Sequence, residues 1–284
     1  MKLTERAMLV TYSEQRWQAR KYDRKVSREV AQAHHASDSV GRYNKNTLPI
    51  DAPTYKAVHQ AYNAARTYHY AQTLPWNDDG PRILPATNYL DYTAGMRKHT
   101  RTIDLAVAEF VADYPVLVQS ARAVLNSLYD PADYPTASEL RSKFSHSLRI
   151  LPLPDAEDFR VSLTDDAVKA IRADIEASVN ASVQVGMTDL YKRLLDATAH
   201  IATRLKDTDA IFRDSLIVNV RELCEILPRL NLTGDPRLET LRQEVENDLA
   251  SWEPDDLRSS KPLRAEIARK ADAIEAKLRG ILGV

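Results

Sequence analysis

Arg16, Arg20, Arg24 and Arg28 recur every four residues, and Lys21 and Lys25 fall between them. On a single α-helix this spacing stacks the four guanidinium groups in a ladder, with the two lysines on its flank. The rungs would lie roughly 6 Å apart, at about 1.5 Å of rise per residue, close to the spacing of phosphates along a nucleic-acid strand. Such a ladder predicts a grip on a polyanion. Asp23 and Glu29 sit among the same cations, so a solvated, salt-bridged helix face is the competing reading.

A second set of residues suited to this chemistry follows. Seven of the 13 tyrosines lie between Tyr43 and Tyr92. Pro53 suits the first turn of a helix over about 53–73, whose stripe is Tyr55, Val58, Tyr62, Ala65 and His69, with Tyr68 and Tyr70 beside it. Tyrosine buries a ring while seeking a partner for its hydroxyl, so the stripe reads either as a polar-edged core or as a stacking surface for bases.

Catalytic and metal chemistry finds no comparable pattern. Only 7 glycines are present, and none forms the GxGxxG turn or the GxxxxGK[ST] loop of nucleotide enzymes. There is no GxSxG elbow and no HExxH pair. Adjacent His34 and His35 would point about 100° apart on a helix. Asn77, Asp78, Asp79 and Gly80 lack the alternating oxygens of a calcium loop. The acid pairs Asp78–Asp79, Asp165–Asp166 and Asp255–Asp256 stand at loops or helix starts, where carboxylates favour free backbone amides. No enzyme, cofactor or metal site is expected. The one cysteine, Cys224, lies in an apolar-periodic stretch and reads as a small buried hydrophobe in a reducing, cytoplasmic setting.

Composition suits a folded globular chain of 284 residues, with 44% hydrophobic and 28% charged residues. No run approaches the ~20 apolar residues of a spanning helix, so no membrane partner is expected. The net charge of −1 hides a gradient: residues 1–75 carry 12 Lys+Arg against 6 Asp+Glu, and 156–284 carry 19 against 24. A cationic head on a near-neutral chain implies local attraction to polyanions.

The elements that must position these groups are mainly α-helical. Met8–Tyr12 reads as a short strand, and Ser13 as the cap of a helix over about 14–36 carrying the arginines. Residues 36–51 and the proline-bracketed 74–85 read as loops. A helix from Asn88 is expected to be interrupted at Pro115, with a further helical segment running on to Leu128. A short helix carries Leu140, and Ile150–Pro154 and Phe159–Leu163 alternate as two strands that can join Met8–Tyr12 in a small sheet. Thr164 then opens the longest regular signal, about 164–206, in which Val168, Ile171, Ile175, Val179, Val183, Met187, Leu190, Leu194, Ile201 and Leu205 keep helical spacing. Three helices follow, over about 209–230, from Pro236 and from Pro262. The expected architecture is an elongated helical bundle with one ~40-residue helix and a minor β element, divided into a basic, tyrosine-rich head (1–150) and an acidic bundle (151–284).

The phrases GRYNKN (41–46), ARTYHY (65–70), TLPWNDDGPRILP (73–85), DYP (133–135), DFRVSL (158–163), FRDSL (212–216) and LPRLNLTGDP (227–236) resemble an uncharacterised family of tailed phages and prophages, described only as a domain of unknown function. The resemblance spans Met8 to about Leu249. It implies a phage-encoded protein of the host cytoplasm, and a gene neighbourhood that can include a MoxR-like AAA+ ATPase. It supplies no catalytic residues. Two expectations result. One is a non-enzymatic accessory protein of phage replication, recombination or packaging that binds DNA or RNA through Arg16, Arg20, Lys21, Arg24, Lys25 and Arg28, with Tyr55, Tyr62, Tyr68 and Tyr70 as stacking residues where they reach solvent. The other is an adaptor for an AAA+ ATPase, or a self-associating component, that uses the 164–206 helix, on which Val185 and Leu195 lie off the main seam.

Overall fold

The computed structural model describes residues 3–76, 80–158, 161, 163–207 and 211–284. Among these the chain is mainly α-helical with a small sheet. It forms two compact units. The first comprises Met1–Thr11, Tyr70–Tyr92 and Arg149–Val284, and the second Tyr12–His69 and Thr93–Leu148. Position 149 is therefore one of four crossing points, and the simple division at 150 gives way to an interleaved one.

The first strand, β1 (Ala7–Gln15), is longer than the Met8–Tyr12 segment expected. It pairs antiparallel with β5 (Arg82–Pro85) in the register Ala7↔Pro85, Leu9↔Ile83 and Val10↔Arg82, and β4 (Leu74–Pro75) adds to the far side of β5. With β6 (Ser145–Pro152) the order is β4-β5-β1-β6. The segment read as a 74–85 loop thus contains two strands. Its prolines are tolerated because Pro75 sits on an edge strand and Pro85 at a strand end, where no ladder donor is lost. Asn77, Asp78 and Asp79, together with Phe159, Arg160 and Ser162 of the second expected strand, lie outside the described residues.

In the first unit the long helix is present as α5 (Asp165–Lys206), with Thr164 at its N-cap position. Its stripe from Val179 to Leu205 is buried, as is Leu195, whereas Val185 is exposed. It packs most extensively on α9 (Lys261–Leu282) and also on α6 (Ser215–Leu230) and α7 (Pro236–Val245). A short α8 (Pro254–Ser259) was not anticipated. Gly186 lets β4 approach α5 closely: a Cβ there would lie 3.3 Å from Leu74 Cβ.

The second unit holds α2 (Pro53–Ala71) and α3 (Tyr89–Leu125) over most of their lengths, and α4 (Ala137–Ser142), which Thr136 and Glu139 start with a reciprocal capping box. Rings gather around Phe110: Tyr55 at 5.6 Å, Phe144 at 5.9 Å, Tyr114 at 6.0 Å and Trp17 at 6.3 Å between centroids. Pro115 does not interrupt α3. It costs the helix one hydrogen bond, but Phe110, Tyr114, Leu117 and Ala121 are buried on either side of it, and this packing outweighs a penalty of about 3 kcal/mol.

Cys224 is buried on α6, and burial, reinforced by Glu246, pushes its thiol up to about 12. A thiol both inaccessible and protonated is unreactive. Native protein is therefore expected to resist labelling by Ellman's reagent under conditions that label the denatured chain fully, which a paired absorbance time course checks.

Candidate nucleic-acid interface

The arginine ladder does not form. After β1 the chain runs irregularly through Arg16–Ala19, enters β2 (Arg20–Tyr22), and only then begins α1 (Arg24–Ala33). Ser13 lies within the strand; the cap is Asp23, whose carboxylate accepts from the Val26 amide at 3.1 Å. Two constraints override the expected helix. β1 keeps the chain extended through Gln15, beyond its pairing with β5 at residues 7–10, and Ala19 is held at φ 48° with its carbonyl accepting from Thr47 at 2.8 Å, a conformation no right-handed helix includes. β2 pairs antiparallel with β3 (Asn44–Asn46), Arg20 opposite Asn46 and Tyr22 opposite Asn44, so the loop expected over 36–51 contains a strand. Residues 20–46 form one β2–α1–β3 module of the second unit.

Arg16 is withdrawn from the surface. Its guanidinium pairs with Glu14, donates to Asn63 Oδ1 at 2.8 Å and lies 5.3 Å from the Tyr62 ring centroid. Beside it, burial and then the Arg16 charge hold His59 below its ordinary value of 6.5, so this imidazole is neutral at pH 7. Tyr55 and Tyr62 are core residues, 7% and 0% exposed, and neither can stack on a base. Burial, with Glu14 adding to it, pushes the Tyr62 hydroxyl up to about 12. Tyr68 is half-buried over Gly95, where a Cβ would lie 2.0 Å from its hydroxyl, and its ring is 4.9 Å from His99. Tyr70 is exposed but belongs to the first unit, and the Arg82 guanidinium covers its ring at 4.4 Å. Of the expected stacking set, Tyr55 and Tyr62 are thus buried, and Tyr68 and Tyr70 each have a ring or guanidinium against them.

Arg20, Lys21, Arg24, Lys25 and Arg28 are each exposed on the module. Lys21 meets Asp133 at 3.7 Å, Lys25 meets Glu29 at 3.9 Å and Arg28 meets Asp38 at 3.5 Å, pairs of exposed cations that neutralise little. Sequence reasoning missed three neighbours. Arg42 lies over Tyr22 at 5.3 Å, and Tyr22 and Tyr43 are each 41% exposed. Tyr43 and Arg42 also line a groove of about 410 Å³ with Val30, Val40 and His34. Tyr22 falls inside the segment expected as one helix over 14–36, where it gives no sign of lying beside Arg42. Arg42 and Tyr43 had a visible signal, adjacent cation and ring between turn residues.

Beneath this face lies a buried ion cluster. Lys45 Nζ sits 2.8 Å from Asp133 Oδ2 and 3.5 Å from Asp23 Oδ2, and donates to the Leu128 carbonyl at 2.5 Å. Burial alone would lower the Lys45 pKa, but the hydrogen bond and charge of Asp133, with Asp23 behind them, hold it above 10.5. The Val26 amide, against desolvation and with Lys45 in support, holds Asp23 below 3.8.

Among the described residues no three His, Cys, Asp or Glu side chains are grouped to hold a metal ion. Nor, among the described residues, is any helix long and apolar enough to cross a membrane. Comparison with protein-family models, curated proteins and solved structures gives no match.

Removing one partner of a buried pair strands the other charges. Lys45→Met is expected to destabilise the second unit by about 3 kcal/mol near neutral pH, read from the denaturant midpoint. A raised lysine stabilises fully below 10.5 and loses its contribution as pH rises through its folded value; a depressed carboxyl stabilises above 3.8 and loses its contribution as pH falls through its folded value. The gap between wild type and variant should therefore be widest between these limits and narrow at both ends of the pH range.

Proposed function

We propose that the β2–α1–β3 module binds nucleic acid and that the protein is a non-enzymatic accessory of phage replication, recombination or packaging. One observation carries the reading. Of the three acids between residues 20 and 46, Asp23 is turned inward onto Lys45, leaving only Glu29 and Asp38 outside against Arg20, Lys21, Arg24, Lys25, Arg28 and Arg42, of which Lys21 also meets Asp133 at 3.7 Å. An exposed face with this imbalance attracts phosphates. Tyr22 and Tyr43 at its edge offer the rings that single-stranded bases use.

The module replaces the ladder as the recognition element. Its cations come from a strand, a helix and a loop, so a bound strand would cross β2 and α1 rather than follow one helix axis. Arg16, Tyr55, Tyr62, Tyr68 and Tyr70 have no part in it.

Fluorescence anisotropy with labelled single-stranded DNA, duplex DNA and RNA at low salt tests the reading. Affinity should fall log-linearly with salt. Arg20→Glu/Arg24→Glu should weaken binding at least tenfold and flatten the salt slope by about 1.5 units. Circular dichroism should be unchanged, since both side chains are exposed. No binding by any of the three polymers would end the proposal. A stable complex with an AAA+ ATPase, or self-association seen by light scattering, would then favour the adaptor reading through α5, where Val185 is the exposed off-seam residue.

A further inference from the structure

A separate feature of the first unit has no part in the reading above. Between the last turns of α5 and the start of α6 lies an open cleft of about 680 Å³, within the range of small-molecule sites. His200 and Arg204 face it from α5, four residues apart on one stripe; Arg213, Ser215 and Asn219 face it from the opposite side. Asp196, one turn before His200, is the single acid among the described residues of the lining.

The environment of Phe212 explains why these cations point into open space. Its ring lies between two guanidinium groups, Arg258 and Arg264, each with its central carbon 5.1 Å from the centroid. Arg258 also donates to the Phe212 carbonyl at 3.2 Å, and Arg264 to the Asp207 carbonyl at 2.5 Å. With Phe212 clamped and buried, its neighbours Ile211 and Arg213 are turned outward.

Asp214 is the nearest acid in sequence to Arg213, yet Arg258 bridges it and Asp255. Several arginines of this unit are bonded to carboxylates: Arg193 to Asp189, Arg221 to Glu253, Arg229 to Asp91, Arg242 to Glu239 and Glu246, and Arg279 to Glu275. Among the described residues Arg204 and Arg213 have no such partner, nor do Arg6, Arg149 and Arg269, but Arg204 and Arg213 line one cleft. The position of Arg204 in the last turn of α5 suits the helix dipole, but Arg213 has no such explanation.

We infer that this cleft binds a phosphate monoester of mononucleotide size. Two guanidinium groups, a hydroxyl and a side-chain amide line the cleft, the donor types that bind a tetrahedral dianion. Leu216, Val220 and Ile211 supply an apolar wall for the esterified group. Asp196 disfavours a more highly charged ligand that fills the cleft along α5.

Isothermal titration calorimetry with AMP, inorganic phosphate and adenosine tests the inference. AMP should bind and adenosine should not. Arg204→Gln/Arg213→Gln should weaken AMP at least tenfold with the far-ultraviolet dichroism intact, both side chains being exposed. Binding of inorganic phosphate with the same arginine dependence supports the anion subsite. Absence of binding by both AMP and phosphate, or AMP binding indifferent to both substitutions, overturns the inference. The nucleic-acid reading is untouched by either result, because residues 20–46 contribute nothing to the cleft.

Discussion

Lys45 is an ammonium group placed where water cannot solvate it, and the second unit is organised by what that demands. A buried charge persists only with counter-charges and hydrogen bonds around it. Here they come from the α1 cap, from Asp133 in the 131–133 turn and from the Leu128 carbonyl. Asp23 serves twice, as the cap that starts α1 and as a counter-ion. Tyr134 adds a tie from the same turn, donating to the Thr47 carbonyl at 2.7 Å. The outward basic surface is a by-product of inward neutralisation: acids committed to the interior cannot screen the cations outside.

The same logic operates in the first unit with different residues. Asp214 is committed to Arg258, and Arg213 beside it is left without a carboxylate. The helices themselves are joined by arginines that reach main-chain oxygens at the ends of other segments. Arg193 donates to the carbonyls of Ala71, Tyr70 and Thr73, and Arg221 to those of Ala250 and Trp252. Free carbonyls at helix ends need donors, and a guanidinium satisfies several at once.

Which parts of this were legible in the sequence depends on where the deciding interaction lies. Helix α5 was readable because its apolar residues and its helical spacing coincide, and α2 because Tyr55, Val58, Tyr62 and Ala65 share one face. For the same reason Tyr55 and Tyr62 belonged to the core. The 14–36 helix failed because its period was carried by charges, while the pairing inside the segment comes from residues 44–46, and the strand before it is seated by partners far along the chain, among them residues 82–85. Those residues were themselves masked by flanking prolines, whose edge and end positions only the register reveals. The cations at 20–28 are exposed, but not as a ladder. Arg42 and Tyr43 joined them only through the β2–β3 pairing.

The interleaving of the two units sets the order in which the molecule can be completed during synthesis. Leu9, Leu74, Trp76 and Ile83 belong to the apolar core that the helices after residue 165 close. Once residue 148 has left the ribosome the second unit has its full complement of chain, whereas these side chains still await their cover. A nascent chain at that stage carries a finished body and a set of apolar strands open to aggregation. Any shortened product ending near 150 would keep that condition permanently, so the apparent boundary there is a poor place to cut.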